Sequence, residues 1–197
     1  ARTVVASVIP LAAVGHKLPL ALVSESAEMV ACFASNLSAF ALDYVARQKV
    51  GGLSLTFFTF KQLPVIPPSG YSTPCEWDNT AHATSSWLLQ RAIELMYASW
   101  DMAPFAQDCG LPGAPFCWDE ERRFLLRCEL DAAFFHLYLS AEANGEWQPA
   151  EGETAGDLTR LKDSFETPRD AVAYMMDTFP IVRRKDEELY GGDYRTK

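Results

Sequence analysis

From Ala27 to Ala46 the chain repeats apolar side chains at helical spacing, and the run ends in Arg47-Gln48-Lys49-Val50-Gly51-Gly52. Met29, Val30, Phe33, Leu37, Phe40, Ala41, Tyr44 and Val45 fall on one broad face of such a helix. A face that wide has to be buried, so neighbouring segments must fold onto it. Ser26 is placed to cap the start, and Glu28 sits where the helix dipole favours an acid. The paired glycines supply a left-handed or bulged backbone on which the helix can stop. Arg47 and Lys49 suit the C-terminal end of the dipole, and a simple cap is their plain structural account.

Around this helix the pattern alternates. Leu53, Leu55 and Phe57 alternate with Ser54 and Thr56, which predicts a strand over 53–60 with Phe57 on its buried face. Pro64, Pro67 and Pro68 force an extended exit. Residues 2–9 are β-branched and apolar, a predicted strand ending at Pro10, and 18–23 read as a second short strand. The order is then β-β-α-β. A strand opening at the first residue has few partners here, which implies that the remaining strands lie upstream.

Residues 69–84 are rich in Ser, Gly, Thr, Pro and Asn and read as a linker. Beyond them the period is helical. One helix is expected over about 85–100, stopped by Pro104, and a second after Asp119 as cap, with Glu120 and Glu121 in its first turn. Residues 140–166 are polar and read as a surface insertion. Thr167, Pro168 and Asp170 mark a third helix start, with Pro180 as its end. Arg183, Arg184 and Lys185 are followed at once by Asp186, Glu187 and Glu188, a spacing that favours self-pairing over phosphate binding. The expected fold class is α+β: a mixed helix/strand recognition subdomain over 1–68, the 69–84 linker, and a mainly α-helical region over 85–197.

The net charge of −9 argues against nucleic acid for the chain as a whole. The charge is unevenly spread. Residues 1–70 hold five Lys and Arg against three Asp and Glu, net +2, while 71–197 hold twelve against 23, net −11. Only the first part is a plausible DNA face. No apolar run approaches the roughly 18 residues needed to cross a bilayer, and the opening lacks a signal-peptide pattern. Five cysteines without a CxxC pair fit reduced thiols in a cytoplasmic protein. His16, His82 and His136 lack metal-site spacing.

The run Phe33-Ala34-Ser35-Asn36-Leu37-Ser38-Ala39-Phe40-Ala41-Leu42-Asp43-Tyr44-Val45-Ala46-Arg47-Gln48-Lys49-Val50-Gly51-Gly52, followed by Lys61-Gln62-Leu63-Pro64-Val65, resembles a segment of large DNA methyltransferases. These are the type IIG-like adenine-N6 enzymes of restriction–modification and phage defence, and the same pattern is similar to target-recognition domains of type I specificity subunits. Trp118 to Arg127 and Asp177 to Glu188 resemble the same group, so the likeness spans nearly the whole chain. It implies the C-terminal portion of such an enzyme: the end of a target-recognition domain plus a helical C-terminal region. The parent would use S-adenosylmethionine to methylate adenine N6, with no cofactor bound by this chain. The implied partners are double-stranded DNA through residues 1–68 and an upstream methyltransferase domain.

The chain itself lacks the catalytic motifs of that family. A glycine-bearing cofactor loop and an Asn/Asp-Pro-Pro-Tyr/Phe turn are both missing. Ile66-Pro67-Pro68-Ser69-Gly70-Tyr71 is only superficially similar, because Ile66 has no acceptor for an amino group. No nuclease or Ser/His/Asp pattern is visible. The resemblance therefore implies recognition. It points to Arg47, Gln48 and Lys49, with Gly51 and Gly52 allowing close backbone approach, and secondarily to Thr56, Lys61, Gln62, His16 and Lys17. The alternative is a non-catalytic protein-interaction module that docks a partner subunit or domain through the acidic helical part.

Overall fold

Ser26 does begin the first helix: its hydroxyl accepts the Met29 N–H at 3.3 Å. The computed structural model describes residues 2–15, 18–52, 54–78, 82–139, 145–149 and 152–191. Their helices are α1 (Ala27–Leu37), α2 (Phe40–Lys49), α3 (Phe57–Phe60), α4 (Thr84–Met96), α5 (Ala103–Asp108), α6 (Glu120–Tyr138), α7 (Ala155–Ser164), α8 (Pro168–Asp177) and α9 (Pro180–Tyr190). The chain divides into two compact units, residues 2–130 and 131–197, and the division falls within α6.

The α+β expectation is overturned. The structure is 57% helical with only 2% strand, and no sheet forms among the described residues. An isolated antiparallel bridge joins Pro74 and Ala83. Residues 2–8 form no strand, and backbone donors of Thr3, Val4 and Ala6 go to side chains rather than to a ladder. Residues 18–23 are exposed and form no strand. The alternation at 53–60, whose first residue Leu53 lies outside the described residues, does not make a strand either. A strand needs a neighbour to take its N–H and C=O groups. Thr56 offers a local solution instead, its hydroxyl accepting the Thr59 N–H at 3.2 Å and starting α3. Phe57 and Phe58 then point outward.

The expected single helix over 27–46 is two helices meeting at 59°. Ala39 between them is extended (φ −78°, ψ 147°). Polar side chains at and beside the break make it useful. Ser38 exchanges hydrogen bonds with the backbone of Ala6, at 3.2 Å from the N–H and 3.1 Å to the carbonyl. The Arg2 guanidinium donates to the Ser38 carbonyl and lies over the Phe40 ring. Buried Asn36 accepts the Ile66 N–H at 3.1 Å. The stop of α2 also differs from expectation. Its cap is Val50 (φ −87°, ψ 99°), and neither Gly51 nor Gly52 takes a positive φ.

In the unit 2–130, α1 packs on α4, α2 and α5. Ala31, Cys32, Ala34 and Ser35 on α1, and Ser85, Leu88 and Ala92 on α4, are all buried. Small side chains of this kind let helix axes approach closely. Ile93, Tyr97, Met102 and Ala106 form a core cluster with Val8 and Leu89 against it. Among the described residues of 69–84, Tyr71 and Cys75 are buried, and the Trp77 ring meets the Trp87 ring of α4 edge-on at 5.5 Å. Pro104 does not stop α4, which ends at Met96; it sits in the first turn of α5, where its missing N–H costs nothing. The start of α6 follows expectation, with Asp119 accepting the Arg122 N–H at 2.8 Å. Arg122 then grips Glu94 on α4 with two hydrogen bonds of 2.9 Å.

In the unit 131–197 the stretch expected to be a polar insertion contains α7, opened by a capping box of Thr154 and Asp157. Trp147 is buried and donates to the Phe165 carbonyl at 2.9 Å. Thr167 and Asp170 form a second capping box at α8, with Pro168 in the first turn. Pro180 lies in the first turn of α9 rather than ending α8, which stops at Asp177. The Arg183–Glu187 and Arg184–Glu188 pairs at 2.9 and 3.8 Å realise the predicted self-pairing.

Candidate nucleic-acid interface

The end of α2 and the segment after it decide which cations in the net-positive part of the chain face solvent. Asp43, one turn before Arg47, is fully buried. Its Oδ1 accepts the Thr3 and Val4 N–H groups, each at 2.6 Å, and its Oδ2 lies 3.5 Å from Arg47 Nε. Arg47 is thus drawn inward, its side chain 23% exposed, and completes a clamp on the N-terminal segment. Arg2 is likewise occupied by Ser38 and Phe40.

Gln48 and Lys49 come next and are exposed, as are Gly51 and Gly52. Thr56 caps α3. Lys61 is exposed with its ammonium 4.7 Å from the Phe57 ring centre, and Gln62 is exposed with its amide 3.4 Å from the Phe58 carbonyl. His16 and Lys17 lie outside the described residues. Leu53 aside, residues 48–62 are exposed or half-buried, an outward excursion that runs from buried Ala46 to buried Leu63. Buried Ala46 fixes one end, while buried Leu63 and the Asn36–Ile66 hydrogen bond fix the other. Side chains on such a loop are positioned by a rigid base.

Two large side chains in this excursion escaped the sequence-based reading. Phe57 is 64% and Phe58 76% exposed. Alternation had placed Phe57 inside a sheet; the signal that corrects it is Thr56, a better helix cap than a strand residue without a partner strand.

Elsewhere in the first unit Arg91, Arg122 and Arg123 serve the fold, while Arg127 is exposed. Arg91 lies 3.4 Å over the Trp87 ring and 2.6 Å from Glu129, and Arg123 caps α4 by donating to the Leu95 carbonyl at 3.0 Å. Arg122 holds the Glu94 carboxyl below its usual range through their hydrogen bonds. Burial pushes the Cys32 thiol up to about 12 and the Cys109 thiol up to about 11, which suits packing rather than nucleophilic chemistry.

Comparison with protein-family models, curated proteins and solved structures finds no match. Among the described residues no group of three His, Cys, Asp or Glu side chains is placed to hold a metal ion. No single helix among them is long and apolar enough to cross a membrane. Pro68 opens a short 3-10 turn ending at buried Tyr71, and the Ile66 N–H is committed to Asn36, so the Pro-Pro run is structural here.

Proposed function

We propose that this chain is a DNA-recognition and C-terminal portion of a site-specific DNA adenine methyltransferase, of restriction–modification or phage-defence type. Its parent transfers methyl from S-adenosylmethionine on an upstream domain, and the present chain contributes duplex binding in the cytoplasm. The observation that supports this reading is the excursion 48–62, in which Gln48, Lys49, Lys61 and Gln62 are all exposed within the only net-positive part of the chain. Lysines read phosphate as point charges, and glutamine amides match an adenine edge. Arg47 moves from recognition to support, because its guanidinium sits at Asp43.

The test is DNA affinity as a function of salt. Each phosphate that a variant no longer neutralises lowers the slope of log K against log salt by about 0.9. Lys49→Ala and Lys61→Ala are each expected to lower the slope by about 1 in the 197-residue chain. Salt-independent binding, or binding that survives both substitutions unchanged, refutes the reading. Capture of a protein through 85–197 with no DNA affinity would establish the interaction-module alternative, which rests on the acidic charge of that part.

A further inference from the structure

Phe57 and Phe58 need an occupant. A single exposed apolar residue needs no explanation, but two adjacent phenylalanines, 64% and 76% exposed on a capped turn, are a different matter. Their presentation is ordered. Thr56 pins the turn through the Thr59 N–H, Phe57 stacks on Phe60 with ring centres 6.5 Å apart, and the Lys61 ammonium lies 4.7 Å from the Phe57 ring centre. Phe60 is half-buried and Leu63 buried, so the turn is tied to the core beneath it. Rings held this way lose little freedom on binding.

What surrounds the two rings selects the partner. Gln48, Lys49, Lys61 and Gln62 are exposed on either side in the sequence, within residues 1–70 of net charge +2. A protein-docking patch is apolar at its centre and depleted of lysine. An aromatic pair flanked by lysine instead matches a polyanion with π faces between its charges. We propose that Phe57 and Phe58 form a wedge that enters a base step of duplex DNA while Lys49 and Lys61 take the flanking phosphates. Apolar wedges of this kind unstack a step and bend the duplex around the protein. The inference rests on the DNA-binding reading and adds to it the side chains that deform the target.

A wedge prefers a step that is already loosened. The probes are a fully paired duplex of about 30 base pairs and the same duplex with one bulged base, each carrying 2-aminopurine beside the test step. The wild-type 197-residue chain is expected to bind the bulged duplex about tenfold more tightly and to brighten the 2-aminopurine, as unstacking does. The Phe57→Ala/Phe58→Ala variant is expected to lose both effects while keeping the salt slope, and Phe58→Ala alone, at a side chain remote from the core, to lose most of the preference. Lys49→Ala/Lys61→Ala is expected to do the reverse, keeping the preference and lowering the slope by about 2. Salt-dependent binding with equal affinity for the two duplexes, or a preference that survives removal of both rings, overturns the wedge and leaves the DNA reading standing. Absence of salt-dependent binding to either duplex overturns both, and the phenylalanines are then a protein contact.

Discussion

Replacing Asp43 tests whether the N-terminal segment is part of the folded unit or merely lies on it. The carboxylate is fully buried, accepts two backbone N–H groups at 2.6 Å and faces Arg47 at 3.5 Å. A hydrogen bond to a charged group contributes about 1.5–3 kcal/mol, and removing one member of a buried pair costs about 3–5 kcal/mol. Arg47 is partly exposed and can regain water, so the low end applies to the ion pair. The segment can also peel away, which limits the loss to the burial of Val4 and the interactions of Ser38 and Arg2. Asp43→Ala is therefore expected to cost about 3 kcal/mol. Asp43→Asn keeps a neutral acceptor for Thr3 and Val4 and should cost about half that. Urea unfolding followed by tryptophan fluorescence measures both, and amide exchange locates the effect, with Thr3, Val4 and Ala6 accelerated first. A cost below about 1 kcal/mol for Asp43→Ala, or unchanged exchange at those amides, would show that the clamp is not what holds this segment.

Two further outcomes follow from the same geometry. Arg122 depresses the Glu94 carboxyl pKa, so the pair stabilises the fold fully above the unfolded value of about 4.3 and loses that contribution as pH falls through the lower folded value. Glu94→Gln is expected to flatten the acid limb of the urea midpoint against pH and leave the neutral limb parallel to wild type. Among the thiols, exposed Cys117 is expected to react with a disulfide reagent first at about pH 8. Cys109, half-buried and pushed up to about 11, should react more slowly, and buried Cys32, pushed up to about 12, only as the protein unfolds; mass mapping of the modified cysteines checks the order.

Helix positions were legible where a cap and a period agreed. Ser26, Asp119 and the Thr167-Pro168-Asp170 start all act as the residue types dictate. The break at Ser38 was hidden because the apolar face runs through it. Only the arrival of residues 2–6 and 66, which need Ser38, Asp43 and Asn36 as acceptors, makes the break favourable. The strands were misread for a related reason. Alternation in 53–60 and β-branching in 2–9 report a preference for extended backbone, but a sheet also requires a neighbour with matching donors and acceptors. Side-chain acceptors and a threonine cap filled that need locally. Of the candidate interface, charge and exposure at Gln48, Lys49, Lys61 and Gln62 were legible, whereas the inward turn of Arg47 depends on the burial of Asp43, a tertiary fact.

Under the proposed DNA-binding function, the division of labour among the cations carries a consequence for specificity. Arg2, Arg47, Arg91, Arg122 and Arg123 are engaged with acceptors or rings inside the first unit, whereas Lys49, Lys61 and Arg127 are exposed. Guanidinium is a planar fork suited to fixed geometry, and here it serves as a staple between segments; ammonium is a mobile point charge suited to phosphate. Bidentate reading of guanine by arginine, the commonest specific contact in the major groove, is thus not open to Arg2 or Arg47 without breaking the clamp. What remains within 48–62 for choosing a sequence is the amides of Gln48 and Gln62 and the ease with which a base step opens to Phe57 and Phe58. Recognition through this surface should accordingly depend more on the deformability of the duplex than on hydrogen bonds to base edges. A flexible pyrimidine–purine step placed under the two rings would then be favoured over a stiff A-tract, and the preference should vanish with the rings rather than with the lysines.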